Sequence, residues 1–163
     1  MERKRDGVSI IGMVILVTVI LAIGFMFLKS KGIIGGKSDL TYVTFVLEHR
    51  NGTSDTAIIG YKDGIIYEHT WETSFPKDVW TEEELDEMIA QYKIYANENK
   101  HLKFYKVRTK ETDTHVIISE IYTGLEKEKN REALVEIGWL EDAEPKMYSE
   151  LENELLSGGY VKK

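Results

Sequence analysis

Cysteine is missing altogether from the 163 residues, which excludes disulfide staples, thiol nucleophiles and cysteine-type zinc sites. The same absence removes the lipidated cysteine by which exported bacterial proteins are often held to a membrane. Residue 2 is Glu, so N-myristoylation, which requires glycine there, is excluded as well. Proline occurs only at 76 and 145, and each reads as a break between elements. Basic residues are scarce beyond the N-terminal region. Residues 1–38 hold six Lys/Arg against Glu2 and Asp6, a net +4, so the overall −7 leaves −11 for residues 39–163. A phosphate backbone is bound by clustered Lys/Arg, and nucleic acid is therefore excluded as a partner.

Against these absences stands one long apolar run, VSIIGMVILVTVILAIGFMFL, residues 8–28, without a single charge. As a helix rising about 1.5 Å per residue, its 21 residues reach about 31 Å, the thickness of a hydrocarbon core. The expectation is a transmembrane helix in contact with membrane lipid, preceded by a basic cytoplasmic stub (residues 1–7) and followed by a juxtamembrane tether (residues 29–40). The alternative is a cleaved export signal, with Arg3, Lys4 and Arg5 as its basic region and Ala22-Ile23-Gly24 near the cleavage point. The apolar run continues past that point, which favours an uncleaved anchor. Three Lys/Arg lie before the span and three within ten residues after it, so the positive-inside count is a tie. A short basic stub before an apolar run is also how export begins. The expected location is therefore the cell membrane, single-pass, with the N-terminus cytoplasmic and residues 41–163 a single extracytoplasmic domain.

The domain begins with strand patterns. Residues 41–48 (TYVTFVLE), 56–62 (TAIIGYK) and 65–73 (IIYEHTWET) are rich in β-branched and aromatic residues, and Asn51-Gly52 and Asp63-Gly64 separate them as hairpin turns. Turns centred there pair Phe45 with Ile58 and Ile58 with His69. Asn51-Gly52-Thr53 is also a glycosylation sequon, but the hairpin already accounts for it. Thr81 followed by Glu84 is a capping box, and Leu85, Met88, Ile89, Tyr92 and Tyr95 then form one apolar helical stripe. Two further strands are read at residues 102–109 and 115–122, a helix at 130–140, and a last helix between Pro145 and Gly158-Gly159. The fold class is α+β: a mostly antiparallel sheet of about five strands packed by two or three helices.

The order of these elements, with Ile59-Gly60-Tyr61-Lys62-Asp63, Ala90-Gln91-Tyr92-Lys93 and the ending Leu155-Leu156-Ser157-Gly158-Gly159-Tyr160, resembles the small YehR-type bacterial lipoproteins over residues 41–163. The resemblance implies a small extracytoplasmic α+β domain and brings no catalytic residues with it. That family's lipidated cysteine is absent here, and a spanning helix would take over the anchoring.

Motifs for chemistry are missing. Gly36-Lys37-Ser38 lacks the glycine at 31 that a phosphate loop needs, no serine sits in a nucleophile elbow, and no alternating acidic loop suggests calcium. The histidines at 49, 69, 101 and 115 have no ligand spacing and read as solvated or polar-edge residues. No catalytic residue, cofactor or metal is expected. Aromatic anchors are enriched at binding hot spots, and Trp71, Phe75 and Trp80 fall within ten residues; they are the candidate partner-binding residues, unless they only plug the seam between sheet and helix. The expected role is a non-catalytic interaction module, an accessory subunit among other envelope proteins. Two rivals have their own structural marks. A ligand-binding or sensor domain requires an apolar cavity between sheet and helix, and an anchored hydrolase requires an acidic pocket with an upward-shifted carboxylate.

Overall fold

The computed structural model describes residues 39–163. The 8–28 span and most of the tether lie outside the described residues; among those described, no helix is long and apolar enough to cross a membrane. The chain runs β1 (Thr41–Glu48), β2 (Ser54–Lys62), β3 (Ile65–Pro76), α1 (Glu82–Glu98), β4 (Tyr105–Glu111), β5 (His115–Thr123), α2 (Glu128–Glu136), α3 (Tyr148–Ser157) and β6 (Val161–Lys162). The strands form one sheet in the order β4-β5-β3-β2-β1-β6, with every neighbouring pair antiparallel. The α+β architecture is as the sequence implies. The sixth strand is the addition: two residues opposite Phe45 and Val46 are too few to show a period.

Turn chemistry sets the register, and in one place moves it from the expectation. Asp63 (φ 51°) and Gly64 (φ 80°) are both left-handed, the two-residue turn that an Asp-Gly pair favours. The first hairpin instead turns through three residues. Gly52 N–H donates to the His49 carbonyl at 3.0 Å and His49 N–H to that of Thr53 at 2.8 Å, with Gly52 alone left-handed. Phe45 therefore pairs with Ala57, not Ile58. A one-residue slip exchanges the faces of a strand, so Ala57 and Ile59, both 0% exposed, join Phe45 in the core. A bulge then separates Gly60–Glu68 pairing from Tyr61–Ile66 pairing, and His69 faces Ile59. Strand β3 also continues through Pro76, whose partner is His115 at the end of the ladder, where a lost N–H costs little.

All three helices cover the same face. Leu85, Met88, Ile89 and Tyr92 of α1 pack on Phe75, Val116, Ile118 and Val107, and Tyr95 extends the stripe to Tyr105. Leu134 of α2 packs with Tyr105 and Tyr122, while Tyr148 and Leu155 of α3 pack with Phe45, Ala57 and Ile59. The α1 start is the expected capping box, with Thr81 Oγ1 accepting from Glu84 N–H and Glu84 accepting in return from Thr81 N–H.

The other two helices share a C-terminal device. In α2, Trp139 N–H donates to the Leu134 carbonyl and Gly138 N–H to that of Val135, with Gly138 at φ 77°. In α3, Tyr160 N–H donates to Leu155 and Gly159 N–H to Leu156, with Gly159 at φ 91°. Both are Schellman caps, and each brings the aromatic that follows the glycine back against the leucine inside the helix. Helix α2 therefore ends at Glu136, before the expected 140.

In urea denaturation, Thr81→Ala lowers stability by about 1 kcal/mol through the lost cap. Gly138→Ala meets no atom within 4 Å of the new Cβ and costs about 1–2 kcal/mol through left-handed strain alone.

Candidate ligand-binding site

The covering helices do not close over the middle of the sheet. Between β3, β5, α2 and α3 lies a pocket of about 490 Å³, within the range usual for small-molecule sites. Its floor is two cross-strand pairs, His69 opposite Tyr122 and Trp71 opposite Glu120, whose side chains share one face by strand alternation. The bulge beside them lets Ile66 join the same lining. Leu134, Trp139, Leu140, Met147 and Leu151 supply apolar walls, and Glu141, Lys146, Glu150 and Glu154 contribute charge to the lining; the last four are all exposed. Trp139 arrives there by the α2 cap, with its ring 5.0 Å from that of Tyr122.

Arg131, 5% exposed, fastens the wall. Its Nε donates to the Ala143 carbonyl at 2.6 Å and its Nη1 to the Leu125 carbonyl at 2.8 Å. The loop after α2 is thereby tied to the strand end.

Two of these lining residues carry a polar atom shielded from solvent without a hydrogen bond of good geometry: His69 at Nε2 and Tyr122 at Oη. Such atoms are rare in folded proteins and call for an explanation. The Tyr122 hydroxyl lies beside the Glu120 carboxylate without completing a hydrogen bond of good geometry. Glu120 Oε1 accepts from Tyr105 Oη at 2.9 Å. Burial drives the electrostatics of all three groups. It pushes the His69 imidazole down to about 4, raises the Glu120 carboxyl above its ordinary range against opposing hydrogen bonds from Tyr105 and Tyr122, and raises the Tyr122 phenol. Glu72 is raised too, by burial, but its register partner is Ser119, on the opposite face of the sheet.

The three aromatics singled out in the sequence are not brought together. Trp71 lines the pocket and meets Tyr160 edge-on at 5.6 Å. Phe75, 7% exposed, and Trp80 pack edge-on at 5.6 Å in the separate cluster under α1, and Trp80 Nε1 donates to Thr53 Oγ1 at 3.2 Å. Residues 71–76 are strand, leaving only 77–80 as the connection. Of the histidines, His49 and His101 are exposed, and His49 contacts Asp55 at 2.8 Å. His69 departs from the polar-edge expectation because strand alternation turns it onto the helix-covered face. Among the described residues no cluster of three His, Asp or Glu is arranged to hold a metal. Glu120 and Tyr122 were not singled out in the sequence. The readable signal was the β5 alternation Val116, Ile118, Glu120, Tyr122, a carboxylate in a series that otherwise faces the core.

Comparison of the fold with solved structures now bears on the resemblance. An NMR structure of the E. coli YehR protein matches with TM-score 0.55 at 16% identity, over 78% of this chain and 93% of that one. The two share a fold. An NMR structure of a protein from Streptococcus pneumoniae TIGR4 matches with TM-score 0.51 at 20% identity, over 79% of this chain and 88% of that one. No family model and no curated protein matches the sequence. The YehR-type resemblance therefore holds for the α+β domain, in bacterial proteins.

A pH dependence follows from His69. Its folded-state value of about 4 lies below the ordinary 6.5, so the unfolded chain takes up the proton first as pH falls. The stability held by neutral His69 is full above about 6.5 and is lost on acidification toward about 4. Urea midpoints measured between pH 7 and 5 should fall for the native chain, and His69→Gln should flatten that slope.

Proposed function

We propose that this chain is a membrane-tethered, extracytoplasmic ligand-binding module of a bacterial envelope, which holds a small molecule in the pocket between sheet and helices for neighbouring envelope proteins. The observation that carries the reading is that two residues lining one mainly apolar pocket, His69 and Tyr122, bury Nε2 and Oη without a hydrogen bond of good geometry. A ligand that hydrogen-bonds to them would offset their desolvation, and convergent polar groups in an apolar cavity are the usual form of a small-molecule site. Glu120 meets one requirement of an anchored hydrolase, a raised carboxyl in a pocket. Binding is favoured because the other carboxylates of the lining, Glu141, Glu150 and Glu154, belong to exposed residues and none shares the buried surroundings of Glu120 as the second member of an acid–base pair would. The tether is supported by the charge-free run at residues 8–28, and it would raise the domain's effective concentration near other membrane proteins.

Ligand-observed NMR with a library of small fragments tests the pocket. Fragments should bind the full-length chain and lose binding in Leu151→Trp, which fills the cavity from α3. Equal binding by both proteins, or none by either, refutes the site. The tether has its own measurement: the chain should stay with membranes through a carbonate wash, and its domain should be cut by protease added to intact cells. Mature protein in the soluble fraction, beginning near Phe25, would remove it.

A further inference from the structure

The pocket floor and the charge around it point to a chemical class of ligand. We infer that the site takes a small organic amine in its protonated form, the ammonium group lying over the His69, Tyr122 and Glu120 floor and the carbon skeleton against Trp71, Trp139 and Leu151. The inference rests on the ligand-binding reading above and specifies its ligand.

Three features carry it. The first is the balance of acceptors at the floor. An ammonium has three N–H donors and no acceptor. Glu120 accepts from Tyr105 at Oε1 and interacts with the Tyr122 hydroxyl, and the lone pairs of a carboxylate leave room for a further donor. Neutral His69 can accept at Nε2, which has no partner, and Tyr122, with its proton turned to Glu120, can accept at Oη. Three donors thus meet three acceptors. A carboxylate in the same place would bring only further acceptors against the Glu120 carboxylate.

The second is the aromatic wall. Trp71, Tyr122 and Trp139 all line the cavity; the Tyr122 ring lies 5.0 Å from Trp139, and the His69 ring lies 5.9 Å from Trp71 and 6.3 Å from Tyr122. Indole and phenol faces attract cations, most strongly where water is excluded.

The third is the sign of the surrounding charge. Glu120, Glu141, Glu150 and Glu154 line the pocket against Lys146 and Arg131. Arg131 is engaged through Nε and Nη1 with two main-chain carbonyls, so its geometry serves the loop. The carboxylates stay in the majority, within a domain of net −11, and such a field draws cations toward the mouth.

The test is a charge series of nearly constant shape, n-butylammonium, 1-butanol and n-butyrate, titrated at pH 7 into the full-length chain in detergent and followed by tryptophan emission and calorimetry. The ammonium should bind about tenfold more tightly than the alcohol, the gain expected from charge-assisted hydrogen bonds, and butyrate more weakly than either. Glu120→Gln should lose about tenfold for n-butylammonium and change 1-butanol by less than twofold. Because the series on the unaltered chain needs no variant, a folding defect in Glu120→Gln does not affect its outcome. Equal affinity for ammonium and alcohol, tighter binding of butyrate, or an undiminished ammonium affinity in a folded Glu120→Gln each overturns the amine assignment and leaves the pocket intact. No binding by any of the three, together with no hits in the fragment library, overturns the pocket reading itself.

Discussion

A single sheet face carries all the helical packing of the described domain, and the limits of that coverage shape everything else. The row from Val43 through Ile59, His69 and Tyr122 to Tyr105 crosses five strands, more width than any one helix covers at the usual interaxial distance of about 10 Å. Helix α1 takes the Phe75, Val116 and Ile118 part of the face, and α3 takes Phe45, Ala57 and Ile59. Helix α2 sits on Tyr105 and Tyr122. What stays only half-buried is His69, Trp71 and Glu120 of one cross-strand square, whose fourth corner, Tyr122, is buried under α2; polar side chains stand on three of its corners.

Those polar corners are where fold and chemistry oppose each other. A core strand position is cheapest to fill with an aliphatic residue, and Ile118 two residues earlier on β5 is only 2% exposed. At Glu120 the same alternation instead supplies a carboxylate that burial makes reluctant to ionise, and at His69 an imidazole kept neutral. Both are costs to stability. Sequences that depart from local rules in this way tend to do so at functional positions. The two glycine caps work in the same direction, because the left-handed turns at Gly138 and Gly159 bring Trp139 and Tyr160 back onto the site and its flank.

The most readable parts of the sequence were those in which a short stretch contains its own reason. The Thr81-Glu84 box needs no distant partner, nor does the Asp63-Gly64 turn, and both stand as read; the α1 stripe also packs as its spacing implied. Features decided by tertiary context were not readable. The three-residue first hairpin and the bulge beside Gly60 move the β2 pairing by one residue, which exchanged Ile58 for Ala57 opposite Phe45. Helix α2 was read through Gly138 because its apolar spacing continues to Leu140, although the left-handed glycine stops it. The pocket was the least legible feature. Its residues come from two strands and two helices, and of its floor only Trp71 attracted notice, for a different reason. Trp80 shows the converse: its prominence in the sequence comes from packing against Phe75.

The smallest strand has an effect out of proportion to its two residues. An outer strand offers free N–H and C=O groups to any passing extended chain, which is how sheet proteins begin to stack into fibrils. On one flank β6 lies across Phe45 and Val46, held by the α3 cap and by Lys162 Nζ, which donates to Glu152 at 2.6 Å. On the other flank β4 carries Lys106, Arg108 and Lys110, whose mutual repulsion discourages a second copy from adding edge to edge. Both flanks are thereby poor templates for such growth, one through a two-residue strand laid over part of β1 and the other through its positive charge.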